Sequence, residues 1–189
     1  PNLNNLFGSL VFAKHCLCDW KFYEKDLEIL EKEILKNKNI SKPFTILSIF
    51  DSSPLQRISA EMNVKDKFQN TKSLGPILKK EPSKKIRLGY YSSDFRNHAM
   101  SYLLAGLFEL HDKSKFELIA FSFGPEKKDE MTERIASAFD KFIETNSKTD
   151  KEIAKLSRDL KIDIAIDLMG FTKSNRFGIF VERCAPIQI

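Results

Sequence analysis

Residues 86–103 read IRLGYYSSDFRNHAMSYL, and this stretch decides the fold that we expect for the chain. Ile86, Leu88 and Tyr90 occupy alternate positions, as the residues on one face of a β-strand do. The segment AMSYLLAGLFEL that follows has the apolar density of a helix packed on a sheet. The polar turn SSDFRNH connects the two. A strand that passes through a polar turn into a helix is typical of ligand sites in open α/β sheets, because ligands bind beyond the carboxyl ends of the strands.

Strands and helices alternate from this stretch to the end of the chain. Alternation at this spacing predicts a doubly wound, mainly parallel, Rossmann-like α/β sheet. Because parallel strands end at the same edge, we expect the turns after the first and fourth strands, SSDFRNH and DLMGFTK, to face one cleft. The pattern predicts strands at 86–91, 116–123, 139–144 and 162–168, a last strand from about Pro186, and helices near 98–111, 127–138, 149–160 and 174–181.

The preceding part of the chain is organised differently. Apolar residues recur at helical intervals between Leu3 and Ile34, which predicts a helical hairpin with Trp20 as an anchor between its helices rather than a ligand platform. Ser52, Ser53 and Pro54 predict a further helix that runs to about Lys65. We therefore divide the chain into a helical region at 1–68, a connector rich in glycine, proline and lysine at 69–85, and the strand–helix region at 86–189.

Composition limits the classes of partner and compartment. The net charge of +5 lies in residues 1–85, whereas residues 86–189 hold 16 basic and 16 acidic side chains, so we expect no nucleic-acid partner. No apolar run approaches the roughly 20 residues of a membrane span, so we expect no membrane partner. The three cysteines are too few and too scattered for a disulfide framework or a metal site, and we interpret them as reduced, buried thiols of a cytoplasmic protein.

Four segments carry a family resemblance. They are GYYSSDFRNH at 89–98, DLMGFTKSNR at 167–176, APIQI at 185–189 and CDWKFYEKDL at 18–27. Each of them resembles a motif of the O-linked N-acetylglucosamine transferases, and along the chain they follow one another as the motifs do in that family. These motifs are a GYxSSDFxxH turn, a segment with a glycine, an aromatic residue and a threonine, the start of the next strand, and the CDW motif that follows the tetratricopeptide repeats. Four matches in the family's order are far more specific than one.

The resemblance implies an enzyme that moves a sugar from a UDP-sugar to Ser or Thr hydroxyls of an acceptor protein or peptide. The expected donor is UDP-N-acetylglucosamine or another UDP-sugar, and no cofactor or metal is implied. The family's catalytic region has two Rossmann-like halves, and this chain resembles the helical linker and part of the first. We therefore expect the second catalytic half to be a required partner and the chain alone to be inactive. Met169, Phe171 and Ala99 depart from the family's pattern and leave the donor and acceptor preferences open.

The first turn supplies most of the candidate site residues. Its interpretation is either a ligand site, since free N–H groups at a helix start favour anions, or a helix cap made by Asp94 or Asn97 with His98 on the surface. His98 would tend to stay neutral beside the positive end of the helix dipole, which makes it the candidate general base. Asp94 is better interpreted as orienting the turn, because a diphosphate would repel a catalytic carboxylate. The substrate-binding candidates of this turn are Ser92, Ser93, Asp94 and Asn97.

The second turn supplies four more candidates, Asp167, Gly170, Thr172 and Lys173. Thr172 either reaches substrate or caps the helix expected near Ser174. Lys173 and Arg176 are the cations available to phosphate on this side. His111 is expected to be structural, with a partly positive imidazole at the end of a helix.

Two other classes stay open beside the transferase. A non-catalytic interaction module derived from such an enzyme is the leading alternative, although a scaffold does not need polar residues at both strand ends. A flavodoxin-like or receiver domain is the second. A receiver would carry paired acidic residues after its first strand, where this chain has Tyr90 to Ser93.

Overall fold

A computed structural model describes residues 5–69, 74–78, 83–125 and 128–189 of the chain. The chain divides into two compact units, residues 1–70 and 71–189. Residues 70–73 and 79–82 of the predicted connector, 69–85, lie outside the described residues, and the domain boundaries drawn from the sequence stay predictions. Each unit is described by itself below.

The first unit is helical, as the periodicity predicts. Proline in the first turn fixes the starts of its third and fourth helices, at Pro43 and Pro54, where a missing N–H removes no hydrogen bond. Ile34, Ile46 and Leu55 form the buried centre of the unit. Its helices are α1 (Leu6–Cys16), α2 (Tyr23–Leu35), α3 (Pro43–Ile49) and α4 (Ser53–Lys67).

Trp20 lies in the loop between α1 and α2 and contacts both helices, as expected of an anchor, although its side chain is 53% exposed. Its ring centroid lies 5.0 Å from that of His15 in α1, and it packs edge-on against Tyr23 of α2. One expectation about this unit is wrong. Cys16 and Cys18 are exposed thiols rather than buried ones, since they lie at the end of α1 and in the same loop; only Cys184 is buried.

The second unit contains a five-stranded sheet in which every pairing is parallel and the strand order is β3-β2-β1-β4-β5. β1 is therefore central and pairs with β2 on one side and β4 on the other. The chain moves outward from β1 to β2 and β3, then returns to the other side of β1, which makes β1 and β4 the topological switch point. The elements are β1 (Ile86–Ser92), α5 (Ala99–Leu110), β2 (Phe116–Ser122), α6 (Glu130–Ala138), β3 (Lys141–Glu144), α7 (Asp150–Asp159), β4 (Ile164–Asp167), α8 (Gly178–Val181) and β5 (Ile187–Gln188).

Helices cover both faces of the sheet. Tyr90 of β1 packs with Phe108 of α5 and Ile135 of α6 on one face. Tyr91, one residue later, packs on the other face with Ile153 of α7 and Ile179 of α8. Neighbouring strand residues point to opposite faces, so the continuous apolar character of β1 reflects burial on both sides. The expected doubly wound, Rossmann-like fold class is confirmed.

The helix expected at 174–181 is wrong in length, because α8 contains only Gly178–Val181. Ser174 has a φ of 65°, in the left-handed region, which a continuous helix does not allow. The Asn175 side-chain amide donates to the Thr172 carbonyl, and the preceding residues form turns instead.

His111 does not carry the partial positive charge expected of it. Its Nε2 lies 2.8 Å from the hydroxyl of the buried Tyr90. Burial, with the nearby Lys113 ammonium as a second cause, lowers the pKa of His111 below its ordinary value. This lowering favours the neutral ring, and the tautomer of that ring sets whether Nε2 accepts from the Tyr90 hydroxyl or donates to it.

Candidate functional site

The SSDFRNH turn is held from within by its own first residues. Ser92 is fully buried at the end of β1, and its hydroxyl accepts a hydrogen bond from the Asp94 N–H at 2.9 Å. The Ser101 hydroxyl of α5 donates to the Asp94 carbonyl. Phe95 is buried among the aromatic side chains between the sheet, α5 and α6. The turn is therefore tied to both the strand before it and the helix after it.

His98 is the N-cap of α5, a role that the sequence interpretation gave to Asp94 or Asn97. Its Nδ1 accepts a hydrogen bond from the Met100 N–H at 3.3 Å. The N–H groups of Ser101 and Tyr102 both donate to the His98 carbonyl. Most of the first-turn N–H groups are therefore already hydrogen-bonded. The start of α5 has fewer free N–H donors for an anion than the sequence suggests. A neutral His98 with Nδ1 as acceptor carries its proton on Nε2.

The turn after β4 is built on the Asp167 carboxylate. Its two oxygens accept hydrogen bonds from the N–H groups of Met169 (2.9 Å) and Gly170 (3.2 Å). Burial raises the pKa of Asp167 above its ordinary value, and these two hydrogen bonds oppose the rise. Gly170 has a φ of 53°, so the turn uses a backbone conformation that glycine adopts without strain. Asp167 and Gly170 shape this turn from within.

Met169 joins the two turns. Its side chain is buried, and its sulfur lies 3.4 Å from both the Ser92 hydroxyl and the Ser93 N–H. The Ser93 hydroxyl also contacts it at 3.5 Å. One of the three residues that depart from the family pattern therefore bridges the two turns of the predicted site. The sequence carried no signal for this contact beyond the departure itself.

A third segment, which follows β2, was missed in the sequence interpretation. The Phe123 N–H donates to the Ser92 carbonyl at 3.1 Å, so the β2 chain stays paired with the first turn beyond the sheet. A Cβ at Gly124 would lie 2.1 Å from the Ser93 carbonyl oxygen. The FGP sequence at 123–125 is a turn signal next to a strand end, and it could have placed this segment at the site.

These three segments enclose a cleft of about 760 Å³ at the carboxyl ends of β1, β2 and β4. His98, Thr172 and Lys173 all line it, which confirms the expectation that the two turns face one cleft. Among the other candidates, Ser93 and Asp94 line the cleft, whereas Ser92, Asn97, Asp167 and Gly170 do not. The Asn97 N–H donates instead to the Asp129 carboxylate. The lining residues are Ser93, Asp94, Arg96, His98, Met100, Phe123, Gly124, Pro125, Leu168, Thr172, Lys173 and Ser174.

Charged side chains are few in the cleft. Arg96 and Lys173 are its basic residues and Asp94 is its acidic residue within the described parts of the chain. Arg176 is the other cation expected to bind phosphate, but its guanidinium is paired with the Asp150 carboxylate. It also donates to the backbone carbonyls of Thr145 and Lys148. The Thr172 hydroxyl donates to the Met169 carbonyl at 2.7 Å, so it stabilises its own turn and caps no helix.

A second cavity lies at the opposite, amino end of the strands. It measures about 880 Å³ and is lined largely by apolar side chains, among them Ile86, Ile164 and Ile187. It is the larger of the two, but open α/β sheets bind ligands at the carboxyl ends of their strands, so we assign the chemistry to the cleft. Across the residues that the structure describes, no three His, Cys, Asp or Glu side chains are placed together as metal ligands.

Comparison with known proteins gives the family. The model of glycosyl transferase family 41 matches residues 48–189, which is well over half of the chain. The chain belongs to this family. Membership agrees with the resemblance drawn from the SSDFRNH, DLMGFTKSNR and APIQI segments, which all lie inside the match; the CDW segment precedes it.

Two relatives of this family member align with different shares of the chain. It is 34% identical over 114 residues to the probable UDP-N-acetylglucosamine–peptide N-acetylglucosaminyltransferase SEC of Arabidopsis thaliana, an alignment that covers 60% of this chain and 12% of SEC. It is 26% identical over 189 residues to the UDP-N-acetylglucosamine–peptide N-acetylglucosaminyltransferase of Caenorhabditis elegans, covering 92% of this chain and 16% of that protein. The chain thus spans less than a fifth of the length of either relative.

The fold of this family member also matches a solved structure. A mutant of the Thermobaculum terrenum O-GlcNAc transferase superposes with a TM-score of 0.66 at 23% identity, covering 95% of this chain and 34% of that one. The match confirms the fold class. No helix in the described part of the chain is long and apolar enough to cross a membrane.

Proposed function

We propose that the protein is a glycosyltransferase that moves a sugar from a UDP-sugar, with UDP-N-acetylglucosamine as the expected donor, to Ser or Thr hydroxyls of an acceptor protein or peptide. The chain contributes one wall of the site, and a second catalytic half contributes the other. No cofactor or metal takes part in this proposal. A cytoplasmic location is part of it, supported by the exposed thiols of Cys16 and Cys18, which suit a reducing compartment.

One observation carries this proposal: the SSDFRNH and DLMGFTK turns meet in a single cleft at the switch point between β1 and β4. Sugar transfer needs an acceptor hydroxyl held close to the anomeric carbon and hydrogen-bond donors or cations near the departing diphosphate. The cleft has hydrogen-bond donors on both of its turns, at His98 on one turn and at Lys173 on the other. A structural scaffold does not need polar residues from two turns to line the same cleft.

The geometry at His98 supports a donor role for its Nε2 rather than a general-base role. Nδ1 is occupied by the Met100 N–H, and the Asp94 carboxylate lies 3.8 Å from Nδ1, beyond hydrogen-bond distance. The Nε2–H of the neutral ring is therefore free to donate to a sugar or phosphate oxygen. A base at this position would need the opposite tautomer and the loss of the helix cap.

The test is a transfer assay on a protein that contains this chain together with a second catalytic half of the same family. UDP-N-acetylglucosamine and a seryl peptide serve as the substrates, and His98→Asn and Lys173→Gln are measured singly and together. We expect each single change to lower kcat/KM at least about tenfold, since charge-assisted contacts contribute roughly 1.5–3 kcal/mol. The double variant should lose less than the product of the two, because residues that serve one bound substrate couple.

Lys155→Gln is the matched control, because it removes a lysine charge from the exposed surface of α7 away from the cleft. Its transfer rate should equal that of the unmodified protein. If no sugar is transferred even with the second half present, while a folded protein partner is still bound, the interaction-module alternative is correct.

A further inference from the structure

Arg96 occupies a variable position of the GYxSSDFxxH pattern, and neither the motif nor the packing explains its side chain. One guanidinium nitrogen, Nη2, donates to the Asp94 carboxylate at 3.1 Å. Nε is buried and has no hydrogen-bond partner in the described parts of the chain. Nη1 makes no hydrogen bond within the described residues, and 38% of the side chain is exposed, along the lining of the cleft. A pure turn-holding role would use the guanidinium more fully than this.

The charge of the cleft is unbalanced around Arg96. Lys173, on the opposite turn, also lines the cleft and makes no ion pair or hydrogen bond with any residue that the structure describes. Asp94 neutralises one of these two cations. With His98 neutral, one positive charge in the cleft has no counter-charge among the residues that the structure describes.

We propose that Arg96 recognises a carboxylate of the acceptor polypeptide, so that the preferred acceptor hydroxyls have an Asp or Glu nearby. This rests on the proposed function and names the substrate class of the same cleft. A carboxylate supplies one negative charge, which matches the single uncompensated positive charge. Its oxygens can accept from Nη1 and from the free hydrogen of Nη2, the donors that Asp94 leaves available.

The same observations argue against the donor diphosphate as the partner of Arg96. A diphosphate carries more than one negative charge, and Asp94, next to Arg96, would repel the excess. The first turn of α5, where a diphosphate would find N–H groups, is closed by the His98 cap. Arg96 is thus a specificity residue for the acceptor and not a group that touches the reacting atoms.

A binding experiment on the chain itself tests this. Two seryl peptides that differ only in one residue next to the serine, Glu in one and Gln in the other, are titrated at low salt and followed by NMR, with UDP titrated in parallel. We expect the Glu peptide to bind about threefold to fivefold more tightly, the range of an exposed ion pair of up to about 1 kcal/mol. Arg96→Gln should remove this preference, whereas Arg96→Lys should keep part of it because the charge remains.

The control is Arg134→Gln, which removes an arginine charge on α6 that is paired with Glu109 outside the cleft. This variant should keep the full preference for the Glu peptide. Equal binding of the two peptides, no detectable binding of either, or a preference that survives Arg96→Gln would overturn the proposal. So would an Arg96→Gln variant that loses affinity for UDP and not for the Glu peptide. Thermal unfolding of each variant shows whether the turn remains folded.

The transfer assay separates this proposal from the function it rests on. With the second half present, the ratio of kcat/KM for the Glu peptide to that for the Gln peptide should fall to about one in Arg96→Gln, from the threefold to fivefold set by the ion pair. Transfer to both peptides at equal rates by the unmodified protein would sink the acceptor proposal and leave the transferase intact. A binding preference for the Glu peptide without any sugar transfer would contradict the transferase function and leave the carboxylate recognition by Arg96 intact.

Discussion

His98 has two ring nitrogens with different tasks. Nδ1 closes the first turn of α5 by accepting the Met100 N–H, and in the proposed function Nε2 faces the substrate. The cap therefore sets the tautomer, in the way that a hydrogen bond to one nitrogen sets the proton on the other. The residue that the sequence offered as a candidate base is for this reason proposed as a hydrogen-bond donor.

A pair of substitutions separates the cap from the donor. Asparagine is a preferred N-cap residue, so His98→Asn should keep α5 capped while removing the Nε2–H; His98→Ala removes both. We expect His98→Ala to lower the free energy of unfolding by about 1 kcal/mol and His98→Asn by a few tenths at most. Urea denaturation of the chain followed by circular dichroism measures the difference.

Transfer by the complete enzyme should fall about tenfold to a hundredfold in both His98 variants, as expected for one lost hydrogen bond to a charged group. A loss of three or four orders of magnitude would instead indicate a general base. A loss below tenfold with unchanged stability would remove His98 from the site.

His111 predicts a pH dependence of stability. Burial, assisted by Lys113, lowers its pKa in the folded state, so below the unfolded-state pKa the unfolded chain binds the proton more readily. The contribution of neutral His111 is therefore fully present above the unfolded pKa, near 6.5, and is lost as the pH falls toward the folded pKa. We expect His111→Gln to make the fall in unfolding free energy between about pH 7.5 and pH 5 shallower than in the unmodified chain, because the variant no longer takes up this proton. Parallel pH profiles, measured by urea denaturation, would show that His111 does not contribute.

At the scale of elements, the cleft depends on how three strand ends meet. β1 and β4 are adjacent in the sheet, and β2 extends past its last paired residue to reach the first turn through Phe123. Gly124 then passes so close to the Ser93 carbonyl that no side chain fits there. The Met169 sulfur fills the space on the other side of Ser93. The turn that carries His98 is therefore clamped between the segments after β2 and β4.

This clamp predicts opposite effects for two glycine substitutions. Gly124→Ala places a Cβ 2.1 Å from the Ser93 carbonyl oxygen, and the backbone must shift to relieve the clash. We expect a loss of about 1–3 kcal/mol in unfolding free energy, together with a loss of transfer in the complete enzyme as the turn moves. Gly106→Ala is the control, because its Cβ in α5 meets nothing within 4 Å.

Gly106→Ala should stabilise the chain by about 0.5–1 kcal/mol, the usual gain from removing glycine from a helix interior. Thermal unfolding of both variants measures the two effects side by side. An unchanged melting temperature for Gly124→Ala would mean that the contact with Ser93 is looser than the distance indicates.

At the scale of the whole molecule, the chain by itself should fold and remain catalytically silent. Its sheet buries aromatic and aliphatic residues on both faces, so folding does not need another domain. Transfer does, because a donor held on one open wall keeps little of its orientation. We expect no detectable transfer and donor binding no tighter than millimolar, which corresponds to about 4 kcal/mol.

Calorimetry with the UDP-sugar and a transfer assay on the purified chain test this expectation. Micromolar donor affinity, or measurable turnover, would contradict it. Activity that returns when a second catalytic half is added would support the proposed function over an interaction module.

The sequence by itself determined the fold class and the place of the site. Period-two strands, helical stripes and polar turns are local patterns, and they were enough to predict a parallel sheet with SSDFRNH and DLMGFTK at one edge. Motif order was enough to indicate the family. The helix expected at 174–181 was an error in the sequence interpretation, and it lies where a short loop competes with a helix and local propensity decides little.

Only the tertiary structure decided which polar residues face the cleft. The hydrogen bonds of Ser92 and Asp167 and the backbone geometry of Gly170 stabilise the turns themselves. Nη1 of Arg96 and the ammonium of Lys173 make no hydrogen bond with the residues that the structure describes, and both residues line the cleft. The tautomer of His98, the bridge through Met169 and the clamp at Gly124 were equally invisible in the sequence. The physical reason is that a hydrogen bond or a close contact is a property of two groups, and here the two come from segments up to 77 residues apart.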